Sequence, residues 1–177
     1  MKNICPLCCL AATLVLAAVS AAAAGPEQFG ARLGGAQEVP AVMTSGHGQF
    51  HAMLNRQTGE MEYELALEEM EGTVQQAHIH LGQPGVNGGV MVFLCSNLGN
   101  GPAGTPACTQ EGASGSFGVD AIVGPGGQGV EPGDGEAFLR ALAGGLAYVN
   151  AHTDLFPSGE VRGQVGPGQR KAHGWKR

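Results

Sequence analysis

An all-β fold, an antiparallel immunoglobulin-like β-sandwich with one short helix, is the architecture this sequence predicts. Three observations carry it. Apolar residues recur at every second position in several separate runs, as strands with one buried face require. The chain holds 31 glycines and 10 prolines in 177 residues, and they punctuate those runs as turns do and long helices do not. No strand-then-helix rhythm appears that would build a parallel sheet.

Taken in order, Phe29, Ala31 and Leu33 share one face of a first strand. Gln37-Glu38-Val39-Pro40 breaks that pattern. Phe50, Ala52 and Leu54 define a second strand over 48–54, and Met61, Tyr63, Leu65 and Leu67 a third. The turn between them, 55–60, carries Gly59, so the pair reads as a hairpin. After Gly72 comes a strand over 73–81, with Ala77, Ile79 and Leu81 facing one way and Gln76, His78 and His80 the other. Residues 90–94 are continuously apolar and suit a strand buried on both faces. A long loop spans 97–115, a weaker strand 116–123, and a helix 136–142 ended by Gly144-Gly145. Strands over 146–153 and 160–165 complete the set, seven or eight in all.

The first residues read as a secretory signal. A charged start (Lys2), an apolar run from Leu7 to Val19 and small residues to Ala24 fit cleavage after Ala24. The run is too short to span a bilayer, and Cys5, Cys8 and Cys9 sit too early for a lipid anchor. The expected organisation is a signal peptide over 1–24, one domain over 25–166 and a disordered basic tail over 167–177. The mature protein is expected in the periplasm or outside the cell, not spanning the membrane. All 15 acidic residues lie between Glu27 and Glu160, whereas four of the nine basic ones lie in the last eight positions. An acidic body argues against nucleic acid as a partner. After cleavage Cys95 and Cys108 remain. In an oxidising compartment they are expected to pair, and their spacing is poor for a zinc knuckle.

Several segments together carry a family resemblance: Gly35-Ala36-Gln37-Glu38-Val39-Pro40, Ala77-His78-Ile79-His80, Gly85-Val86-Asn87-Gly88, Tyr148-Val149-Asn150-Ala151-His152-Thr153 and Gly159-Glu160-Val161-Arg162-Gly163-Gln164. They are similar in kind and order to the CHRD domain family, the module first recognised in chordin, and look like its bacterial exported members. The likeness runs from Ala31 to Val165. It departs at Val161, where isoleucine is usual, and at Phe156, which lengthens the approach to Pro157. The resemblance implies an extracellular β-sandwich that binds rather than catalyses. It names no ligand.

The residues with chemistry to offer are histidines. His78 and His80 project from one strand face about 7 Å apart along the chain. His152, near the end of another strand, is a candidate third ligand for copper or zinc, both of which accept imidazole. His47 and His51 share a face and are weaker candidates. Asn150 precedes His152 on its face and is a candidate to orient it. A His-x-His strand with a later histidine also resembles copper-zinc superoxide dismutases, on a related sandwich, but their bridging-histidine and zinc-ligand segments are not recognisable here. Glu160 and Arg162 share a face of the last strand and read as pairing with each other or bridging to a neighbour, a surface contact of little energetic weight, and Tyr148 as packing. No nucleophile elbow, phosphate loop or calcium loop is present.

Three readings follow. The first is a non-catalytic exported module holding copper or zinc through His78, His80 and His152, or binding an extracellular or periplasmic protein. The second is a copper redox enzyme of the dismutase kind. The third is a structural or adhesive domain whose histidines only make hydrogen bonds.

Overall fold

A computed structural model describes residues 27–168. The expected signal peptide with its cleavage site, most of the basic tail and His173 lie outside the described residues.

Eight strands form one antiparallel sheet: β1 (Glu27–Gly34), β2 (His47–Asn55), β3 (Glu60–Glu68), β4 (Val74–Leu81), β5 (Val90–Ser96), β6 (Gly112–Phe117), β7 (Ala147–Thr153) and β8 (Val161–Pro167). Their order is β5-β4-β7-β8-β1-β2-β3-β6. The sheet curls until its two ends approach. Ile122, just after β6, bridges to Val92 of β5, and the Tyr63 hydroxyl of β3 donates across the core to the Leu94 carbonyl of β5. The all-β expectation holds, with the two layers of the sandwich continuous as a flattened, nearly closed barrel. Among the described residues there is one α-helix, α1 (Gly135–Ala143), and no helix long and apolar enough to cross a membrane.

The alternation read from the sequence sets the interior. Phe29, Ala31 and Leu33 of β1, Phe50, Ala52 and Leu54 of β2, and Met61, Tyr63, Leu65 and Leu67 of β3 fill one continuous core. The β2–β3 turn closes as its residues demand. Asn55 Oδ1 accepts from the amides of Gln57 and Thr58, and Gly59 takes the left-handed conformation at φ 74°. Helix α1 is capped by Asp134, whose carboxylate accepts from the Ala137 amide. It packs Phe138, Ala141 and Leu142 into the core.

Two expectations are corrected. The weak strand lies over 112–117 rather than 116–123, and Val119–Ala121 forms a 3-10 turn instead. Ladder position overrides propensity here: the glycine- and serine-rich segment pairs with β3 from Met61 to Ala66, and Phe117 packs between Tyr63 and Phe138. The last strand continues through Pro167, into the segment expected as tail. Cys95 and Cys108 form a disulfide, Cα atoms 5.0 Å apart.

Strands β4, β7 and β8 depart from the one-sided pattern. Every residue of β7 is buried, because both faces are covered. The core lies on one side. On the other, the β4–β5 loop, the β1–β2 connection and the β7–β8 turn fold over the sheet.

Candidate metal centre

The covered outer face is where the histidines meet. Register places His78 opposite Asn150 and His80 opposite Tyr148, while Asn150 stands opposite Arg162 on β8. Paired residues share a face, so His78, His80, Tyr148, Asn150, His152 and Arg162 form one polar layer behind the apolar core. The β4–β5 ladder shifts register between Ala77 and His78 and again between Ile79 and His80. Irregularities of this kind turn side chains away from a regular pleat.

His78, His80 and His152 each offer a ring nitrogen, and the three atoms lie within 4.8 Å of one another. The rings are 8% exposed or less. His78 meets the edges of both others, with centroids 5.3 Å from His80 and 5.0 Å from His152. The Nδ1 atoms of His80 and His152 donate to the carbonyls of Gly88 (2.9 Å) and Pro157 (3.0 Å). A carbonyl only accepts, so both rings carry their proton on Nδ1 and a lone pair on Nε2, that of His80 without a partner and that of His152 facing His78 Nδ1 at 3.2 Å. This far-side anchoring is the arrangement that orients metal-ligating histidines.

Burial, reinforced by repulsion from His152 and His80, drives the His78 pKa down to about 3. Burial likewise lowers His80 to about 4, against the support of the Gly88 carbonyl, and depresses His152. All three rings are therefore neutral at physiological pH, the form that ligates metals.

The surroundings hold the layer rigid. Tyr148 stacks on His80 at 4.8 Å with planes 6° apart, and the Arg162 guanidinium carbon sits 3.5 Å from the Tyr148 ring centre. Arg162 donates to Asn87 Oδ1 (2.9 Å) and the Val86 carbonyl (2.8 Å), fixing the loop that supplies Gly88. The surface placement expected of Glu160 and Arg162 is thus corrected, while of the two pairings expected it is bridging to neighbours that they make. Both are buried, and each has other partners. The Glu160 carboxylate accepts from the hydroxyls of Thr44 and Thr153 and the amides of Glu71 and Gly72, joining three loops at one point.

His47 and His51 are not brought to this cluster. Both are on β2, separated from β4 by β7, β8 and β1 in the sheet. His47 faces Glu68 at 3.6 Å, and His51 lies exposed opposite Gly30. His152 is oriented by the Pro157 carbonyl rather than by Asn150. Asn150 stands instead opposite His78 and Arg162 in the ladder, its Nδ2 beside Glu38 at Gly159. Glu38 is a buried residue that strand reasoning passed over, since it lies in the break after β1. Its signal was its place inside the Gln37-Glu38-Val39-Pro40 motif. Burial raises its pKa to about 7, opposed by the Arg162 charge.

Against known proteins, the CHRD domain model matches residues 29–165. No curated protein and no solved structure matches the chain. The matched stretch takes in every strand that positions the histidine layer, and over so much of its length the chain belongs to the CHRD domain family.

Proposed function

We propose that this CHRD domain is an exported, non-catalytic binding module whose ligand is a transition-metal ion, copper or zinc, held by His78, His80 and His152. The observation that carries the reading is the convergence of three neutral, buried imidazoles, two of them anchored from behind by backbone carbonyls. A purely hydrogen-bonding role leaves the Nε2 atoms of His78 and His80 buried without a partner, a cost of about 1–3 kcal/mol each. Ligation removes that cost. Export is supported by the Cys95–Cys108 disulfide.

The test is titration of the tag-free mature protein with Cu²⁺ and Zn²⁺, repeated on His78→Ala, His80→Ala and His152→Ala. One ion per chain in the parent, with affinity lowered at least a hundredfold in each variant, is the expected result. Binding that survives all three substitutions refutes the site. His51→Ala serves as the control and leaves affinity unchanged. Export is checked by the intact mass of the protein recovered outside the cytoplasm, which begins at Gly25.

A further inference from the structure

Four buried side-chain atoms among the described residues have no hydrogen-bond partner: His78 Nε2, His80 Nε2, Asn150 Oδ1 and Glu38 Oε1. Two belong to the histidine cluster, Asn150 stands opposite His78 in the ladder, and Glu38 adjoins Asn150 at Gly159. Proton placement shows what kind of atoms they are. His80 and His152 donate through Nδ1 to carbonyl oxygens, so their Nε2 atoms carry lone pairs. In the metal-free chain His78 Nδ1 lies 3.2 Å from His152 Nε2 and is the donor of that pair, a bond that ligation through His152 Nε2 replaces. His78 Nε2 is then also bare. An amide oxygen and a carboxyl oxygen complete the set, and no ring or amide N–H is among the four. A water molecule brings two protons and leaves half the set unsatisfied. A cation is attracted to all of it.

Charge selects among the groups. Three neutral imidazoles bring no negative charge to balance a divalent ion, the buried Arg162 guanidinium adds a positive one to the same layer, and an uncompensated buried charge is costly. Two carboxylates are buried near this face, Glu38 and Glu160. Glu160 is committed to four donors. Glu38 has a free oxygen, and its chain neighbourhood is built to bring it inward. A Cβ at Gly159 would stand 2.4 Å from Glu38 Oε1 and 2.8 Å from Asn150 Nδ2. A side chain at 159 would displace the carboxyl or the amide from this spot, and at φ 125° the backbone itself favours glycine.

We propose that Glu38 is the anionic member of this centre, facing the cation together with Asn150 Oδ1, so that the ion is held by a mixed nitrogen and oxygen set. The proposal rests on the metal-binding reading above and deepens it. A mixed set with one carboxylate favours divalent Zn²⁺ and Cu²⁺ over Cu⁺, which soft sulfur ligands suit.

Glu38→Gln tests it, because the amide keeps the size and removes the charge. Affinity for Zn²⁺ is measured by competition with a chromophoric chelator, Cu⁺ affinity anaerobically in the same way, and thermal stability on the metal-free chain. Expected are a loss of at least tenfold for Zn²⁺, little change for Cu⁺, and a metal-free midpoint equal to or above that of the parent. That combination separates charge compensation from a structural role, which would lower stability and all affinities together and would overturn the proposal. Unchanged Zn²⁺ affinity in Glu38→Gln, with the histidine variants still deficient, overturns it while leaving the three-histidine reading in place. A parent protein that takes up neither ion overturns both.

Discussion

His80 shows how much of this protein depends on single atoms. One nitrogen is satisfied by Gly88, the other is not, and the ring is pinned between Tyr148 and its neighbouring histidines. The sign of its pH effect follows. The folded-state pKa values of His78 and His80 lie near 3 and 4, below the ordinary 6.5, and that of His152 is also lowered. The unfolded chain therefore takes up protons first, and metal-free stability, complete above pH 6.5, falls as pH drops toward 3. Each unit removes about 1.4 kcal/mol per ring that stays neutral, so denaturant midpoints at pH 7 and pH 5 should differ clearly in the parent and less in His78→Ala. With His78 and His80 titrating near 3 and 4, these two rings stay free to ligate at pH 5, and bound Zn²⁺ is expected to be retained there, which equilibrium dialysis checks. Residue reasoning found the three histidines because period-two alternation puts His78 and His80 on one face. It could not see that Glu160 and Arg162 are interior. Alternation assigns a residue to a face and carries no information about whether loops from elsewhere cover that face.

At the scale of elements, the strands with regular patterns, β1 to β3, were legible almost to the residue. A hydrophobic face and a glycine turn determine them locally. Strand β6 was not, because its six residues, Gly112 to Phe117, have weak propensity and exist as a strand through pairing with β3. The loops over the histidine layer were equally hidden. Their closure depends on Glu160, which gathers the β1–β2 connection, the β3–β4 turn and β7 through four hydrogen bonds. Glu160→Ala strands those donors and is expected to cost about 3 kcal/mol, seen as a midpoint lower by about 6–12 °C. Gly88→Ala acts on the loop itself. A Cβ there would stand 1.6 Å from the Leu81 carbonyl oxygen, so the loop must move and carry the His80 acceptor with it. Zn²⁺ affinity is expected to fall at least tenfold, measured by the same chelator competition.

Across the whole molecule, one sheet supplies both a dry interior and a polar layer on its outer side, and they are held by different means. The interior is maintained by apolar burial. The Cys95–Cys108 bridge ties β5 to the long loop leading into β6. Reduction should lower stability by about 3 kcal/mol through the freedom regained by the unfolded chain. A thermal melt with and without reductant measures it, and metal affinity should persist at temperatures where the reduced form stays folded. The curling of the sheet has a further result for a protein held at high local concentration. An open sheet ends in rows of unused amides and carbonyls that invite strands from neighbouring copies. Here the outer margin of β5 is already engaged by residues 122 and 123, through the Val92–Ile122 bridge and the bond from the Val123 amide to the Met91 carbonyl. Fibrillar stacking is thereby denied a template along that margin, and the chain can crowd without polymerising through it.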